Sequence, residues 1–335
     1  MEALMSRKLF ALSLTATLMG GTAYADTPQV AVDIAPVHSL VARVMDGVGT
    51  PDLIIQPGAS PHEYSLRPSE AAALQNSDLV FWIGPGLTPW LTDTIETLAK
   101  DASVTSLLDL DGTVQLDFRE GALFEVHDHD DHDDHDDHDD HDDHDDHDDH
   151  DDHDDHDDHD DHDDHDDHDP HAWLSPKNAI TWLNVIAGQL SAADPDNAGT
   201  YFANAAAGRT EIELLISEVT ATLDRVRGGR FIVFHDAYQY FEMDFNFPAS
   251  GAISVSDASD PGPARITEIR DRISQQGIDC VLAEPQFNPD LIATVLDGTD
   301  SRTGIIDPLG SDLEPGASLY RELIRNLSTA LASCM

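Results

Sequence analysis

Between residues 127 and 169 the chain is made only of His and Asp, 15 of the first and 28 of the second. The run opens as His127-Asp128-His129-Asp130-Asp131, continues as a repeated His-Asp-Asp triplet, and leaves through Asp169-Pro170-His171. Imidazole nitrogen suits zinc, copper and nickel, and carboxylate oxygen accepts hard or borderline cations, so this composition points to metal. A merely solubilising polyanion would explain the Asp but not a His at every third position. The run has no apolar residue to offset an ordering cost of about 1–2 kcal/mol per residue, which predicts a disordered insertion in a folded protein. Without fixed geometry it should offer several weak, equivalent sites and little selectivity.

Four further residues could make a tighter site. His62, His171, His235 and Asp307 each sit beside Pro or Asp on a turn next to a predicted strand or to the insertion. Singly, each reads as a capping or surface residue. Together, three neutral imidazoles and one carboxylate make a tetrahedral zinc set with bonds of about 2.0–2.2 Å. His38 falls within a helical pattern and is read as structural. Such a set with an open position could lower the pKa of a bound water to about 7 and serve a zinc hydrolase. However, the sequence holds no HExxH helix, no nucleophile elbow and no carboxylate in a motif context that suggests a general base.

The elements that must position these residues alternate. Residues 29–34 (QVAVDI) read as a strand, 37–48 as a helix and 52–56 as a strand, followed by the Pro- and Gly-rich loop that carries His62. A helix at 68–75, a strand at 78–83, a helix at 87–100 and a strand at 104–108 complete a parallel α/β lobe. In such sheets the loops after the strands face the ligand crevice.

Past the insertion, Ser175-Pro176 starts a helix that runs through 179–190. Residues 195–226 carry an apolar stripe through Tyr201, Ala205, Ile212, Leu215, Val219 and Leu223. A helix of about thirty residues spans about 45 Å, more than one lobe needs, and reads as a connector along both. Strand and helix then alternate again. Strands fall at 230–234, 280–283 and 304–306, with an extended stretch at 248–253, and helices at 237–245, 265–276, 289–296 and 319–332. The organisation is therefore α/β, two parallel-sheet lobes joined by a long rigid helix, with metal in the cleft between them. The predicted boundaries are 1–25 for a leader, 26–193 for the first lobe with its insertion at 127–169, 194–227 for the connector and 228–335 for the second lobe.

The chain has 335 residues and a formal charge of −49, which falls to −21 without the insertion, so nucleic acid is a poor partner. Arg7 and Lys8, an apolar run over 9–21 and Ala23-Tyr24-Ala25 match a cleavable signal peptide, cut after Ala25, whether the chain starts at Met1 or Met5. The run is too short to span about 30 Å of hydrocarbon. A soluble, monomeric exported protein, most simply periplasmic, is expected. Export puts Cys280 and Cys334 in an oxidising compartment, where pairing is the default over service as zinc ligands.

Four blocks resemble a known family. They are Pro57-Gly58-Ala59-Ser60-Pro61-His62-Glu63-Tyr64, Asp169-Pro170-His171-Ala172-Trp173-Leu174, Phe234-His235-Asp236-Ala237-Tyr238 and Asp307-Pro308-Leu309-Gly310. They look like the zinc and manganese substrate-binding proteins of ABC transporters, and most like the periplasmic zinc-uptake members. The resemblance implies one bound metal that is cargo rather than cofactor, an inner-membrane permease as partner, no catalysis, and a His-rich loop as auxiliary zinc collector. Carried over by position, it makes His62, His171 and His235 ligands, with Asp307 at a fourth place that zinc members can give to water. Manganese members resemble a set with Glu in third place, so His235 favours zinc. Some zinc members carry an acidic residue before the first His, where this chain has Pro61, and Glu63 is a doubtful substitute. The resemblance also implies the Cys280–Cys334 disulfide. A zinc buffer or adhesin without a transporter is the remaining alternative.

Overall fold

The computed structural model describes residues 27–119, 124, 168–254, 262–286 and 289–335. The leader expected at 1–25 and the His/Asp insertion up to residue 167 lie outside the described residues.

Two four-stranded parallel sheets form the frame. The first takes β1 (Val30–Val32), β2 (Asp52–Leu53), β3 (Leu79–Trp82) and β4 (Ser103–Ser106) in the order β2-β1-β3-β4. Helices α1 (Ala35–Val44), α2 (Pro68–Asn76) and α3 (Pro89–Leu98) make its crossovers. Each starts with Pro in its first turn, where the missing N–H costs nothing. β1 and β3 are buried at every position, as a parallel strand covered on both faces must be.

After α4 (Pro176–Ala193) and α5 (Ala198–Leu223) the pattern repeats. Strands β5 (Phe231–His235), β6 (Ala252–Ser254), β7 (Cys280–Ala283) and β8 (Arg302–Ile305) take the order β6-β5-β7-β8, the same topology as the first sheet. Helices α6 (Gln239–Phe245), α7 (Pro263–Gln276), α8 (Pro289–Leu296) and α9 (Leu319–Cys334) accompany them. In both sheets the winding reverses between the first strand and its neighbour. That is the switch point beyond which ligands bind in open α/β sheets.

The connector is α5, 26 residues long and so about 39 Å from end to end. Its buried face is the stripe read from the sequence, with Gly208 added. A Cβ at Gly208 would stand 3.1 Å from Leu183 Cδ1 and 3.3 Å from Arg43 Cγ, so Gly lets α5 lie close on α4 and α1. Arg43 pairs with Glu211 at 2.9 Å, and Arg325 of α9 pairs with Glu218 at 2.7 Å. The one helix is thereby tied to elements of both lobes. Among the described residues no helix is long and apolar enough to cross a membrane.

The expected disulfide joins Cys280 of β7 to Cys334 at the end of α9, with Cα atoms 5.6 Å apart. His38 is buried with Nε2 3.1 Å from the Pro51 carbonyl, a structural contact within the first lobe.

Candidate metal centre

His235 is the last residue of β5, and β7 runs beside it in register, with Val233 opposite Leu282. Two residues further along, that register sets His235 beside Glu284. His235 Nδ1 lies 2.6 Å from Glu284 Oε1, with both side chains buried. An ionised carboxylate only accepts, so this contact is met by a proton on Nδ1, which in the neutral ring makes Nε2 the acceptor. Gln286 Nε2 donates to the other Glu284 oxygen at 2.7 Å and fixes the carboxylate in turn.

His171 is held by a second acid. Asp169 Oδ1 accepts from the His171 backbone N–H at 3.0 Å and stands 2.7 Å from its Nδ1. Burial pushes the Asp169 carboxyl up to about 7, against the His171 N–H and the nearby Arg119 cation, which lower it. Pro170 stiffens the two-residue link, and His171 opens a short 3-10 turn, Ala172–Leu174, that leads to the Ser175 cap of α4. His171 is therefore set by an Asp-Pro-His turn and not by a strand end.

His62 sits on the loop after β2. Its N–H donates to Ser60 Oγ at 3.3 Å, and the carbonyl of Pro61 accepts from Trp90 Nε1 at 2.8 Å. His62 is the most exposed of the three His residues.

The three rings converge. Centroids of His62 and His171 are 5.7 Å apart, and those of His171 and His235 are 5.4 Å apart. Zn–N bonds of about 2.0–2.1 Å at tetrahedral angles put pairs of imidazole rings about 5 Å apart. Among the described residues no three His, Cys, Asp or Glu side chains stand close enough to hold a metal as they are. The rings surround a cavity of about 10 Å³, walled also by Pro61, Trp173, Gln286, Pro308 and Leu309. That is room for about one water or ion between the rings.

Asp307 is not among the residues that line this cavity. Its carboxylate accepts from the N–H groups of Leu309 at 2.9 Å, Gly310 at 3.0 Å and Ser311 at 2.6 Å, and from Ser311 Oγ at 2.6 Å. The residue caps its own turn and thereby sets Pro308 and Leu309 into the cavity wall. Glu63 is exposed on the His62 loop.

A family model described as zinc-uptake complex component A, periplasmic, matches residues 30–334. The chain belongs to the ZnuA family. Among ZnuA relatives, the high-affinity zinc uptake system protein of Brucella abortus (strain 2308) is 48% identical over 325 residues, 97% of each chain. That of Paracoccus denitrificans (strain Pd 1222) is 48% identical over 314 residues, 93% of each chain. Of solved structures, a ZnuA crystal structure is similar with a TM-score of 0.69 at 20% identity, covering 92% of this chain and 99% of that one. A mutant laminin-binding adhesin of Streptococcus agalactiae has a TM-score of 0.69 at 21% identity, covering 91% and 98%. At those identities the structures speak for the two-lobed ZnuA fold alone.

Glu284 and Asp169 hold the His235 and His171 rings at Nδ1, and their removal is testable. Outer-shell partners of metal-bound His are typically worth about 10–100-fold in affinity. Glu284→Gln and Asp169→Asn are each expected to weaken zinc by about that factor in chelator competition. Unchanged competition curves for both would mean that the carboxylates do not orient the rings.

Proposed function

We propose that this protein captures zinc in the periplasm and delivers it to the permease of an ABC importer, with zinc held by His62, His171 and His235. The observation that carries the reading is the convergence of three imidazoles, two anchored at Nδ1 by buried carboxylates, around a cavity of ion size. The names of the ZnuA relatives support zinc as cargo. Three nitrogen ligands also favour zinc over manganese, which stands at the weak end of the affinity order.

Tetrahedral zinc takes a fourth ligand, and Asp307 is the candidate beside Pro308 and Leu309. To coordinate, it must give up part of its turn cap; a water fills the corner otherwise. Binding and release without catalysis belong to this reading, and the transport names of the relatives support them. Export through a leader cut after Ala25, a monomeric state, and lobes at 26–193 and 228–335 about a connector at 194–227 belong to the same reading.

The insertion is read as a collector of weaker sites that hands zinc to His171. Where it ends, the chain is tied to a segment that precedes it, Asp117 and His168 forming an antiparallel bridge and Asp169 N–H donating to the Leu116 carbonyl at 2.7 Å. Deleting residues 128–167 is expected to lower zinc stoichiometry at micromolar metal and leave the tight site intact, read by calorimetry. The deleted strain should take up zinc more slowly under chelation and normally in replete medium. Loss of the tight site on deletion would place the insertion in the primary site and end the division of roles.

A further inference from the structure

Arg119 belongs to the first lobe, and its side chain is spent on the second. Its guanidinium is only 16% exposed. Nε donates to both Asp236 oxygens at 3.0 Å, and Nη2 donates to Asp236 as well. Nη1 donates to Glu242 Oε2 at 2.7 Å and Nη2 to Glu242 Oε1 at 3.1 Å. Asp236 follows His235 directly, and Glu242 lies on α6. Both carboxylates are nearly buried. The guanidinium also stacks over the Phe124 ring, 3.5 Å from its centroid.

The segment that carries Arg119 is tied to the other ligand segment. Leu116 N–H donates to Tyr240 Oη at 3.0 Å, Tyr240 Oη donates to the Asp169 carbonyl at 2.7 Å, and Asp169 orients His171. A buried cation with two carboxylates is poor evidence for stability, because desolvation consumes much of the attraction; its best-attested use is to fix one register among several. Here the parts whose register it fixes are the two turns that carry His171 and His235. Five donors in a planar fork can bind two carboxylates at once, which a Lys ammonium cannot reproduce.

We propose that Arg119 is a positioning residue for the metal site, clamping the His235-Asp236 turn of one lobe against the Asp169-Pro170-His171 turn of the other so that both rings stand in register before zinc arrives. The inference rests on His171 and His235 being ligands. Arg119 touches no metal and acts through Asp236 and Glu242.

Arg119→Met and Arg119→Lys should be compared with the parent chain by zinc release into a chelator and by the visible spectrum of the Co²⁺-loaded protein. Arg119→Met is expected to release zinc about 10–100-fold faster and to broaden the tetrahedral Co²⁺ bands, with Arg119→Lys in between. If either folded variant releases zinc within about threefold of the parent, far below that outer-shell range, with unchanged Co²⁺ bands, Arg119 is structural only, whatever happens to thermal stability. Should Arg119→Met fail to fold, Arg119→Lys and Asp236→Asn decide by the same criteria. His235→Ala is measured alongside. If it keeps tight zinc, the ligand assignment itself has failed and the clamp with it; if it loses tight zinc while the Arg119 variants do not, only the clamp is wrong.

Discussion

His235→Ala is expected to abolish tight zinc binding, raising Kd by at least about a thousandfold, beyond the roughly 10–100-fold of an outer-shell partner. His235 is 3% exposed at the end of a buried strand, and its ring is fixed from behind by Glu284. A neutral amide, Gln286, shares the cavity wall, and it is already bonded to Glu284. Neither neighbour is placed to restore a third nitrogen. The measurement is best made by calorimetry on a chain lacking residues 128–167, so that weaker sites do not mask the loss. Tight one-to-one binding that survives the substitution would sink the ligand assignment.

Removing the Cys280–Cys334 bridge is expected to lower unfolding stability by about 2–4 kcal/mol. The bond closes a separation of 54 residues, for which loop-closure entropy gives at most about 4 kcal/mol, less whatever structure the reduced chain retains. The sulfurs also pack tightly, since a Cβ on Gly304 of β8 would stand 3.1 Å from Cys334 Sγ. Strand rise of about 3.3 Å per residue puts Cys280 about 13 Å from Glu284 along the chain. Zinc affinity of Cys280→Ser/Cys334→Ser should therefore stay close to the parent's while its urea midpoint falls. An unmoved midpoint would show that the bridge does not stabilise the fold.

Much of this architecture could be read in the sequence, and the exceptions share a cause. The stripe on α5 was legible because a 3.6-residue period is local, and β7 because an apolar run bounded by polar residues is local too. His62, His171 and His235 stood out through their Pro- and Asp-flanked turns and the family blocks around them. Glu284 did not, although it closes β7 as His235 closes β5. Its partner is 49 residues away, and only the pairing of Val233 with Leu282 brings the two side by side. Two apolar strands each ending on a titratable residue were the available signal. Arg119 was missed for the same reason, since next to a polar insertion it reads as solvated and its partners lie 117 and 123 residues on. Asp307 has a second use that its block does not show. The Asp-Pro-Leu-Gly block marks it as a ligand, yet its two oxygens take four hydrogen bonds from its own turn, a use that depends on loop curvature and leaves no trace in residue spacing.

Trp173 gives the molecule an optical property. Its indole is 1% exposed, its ring centroid is 5.2 Å from that of His171, and its N–H donates to the Pro308 carbonyl of the opposite lobe at 2.8 Å. One emitter thus abuts the His171 ring and bridges the two lobes. A diamagnetic cargo changes its emission through its charge, through its hold on the neighbouring imidazole and through any shift of that hydrogen bond, whereas an open-shell ion such as Cu²⁺ or Co²⁺ at the same place also quenches it directly. Comparing the two kinds of ion on a chain that lacks residues 128–167 and keeps Trp173 as its one tryptophan therefore separates direct quenching at the site from the response of the contacts around it, without any attached dye.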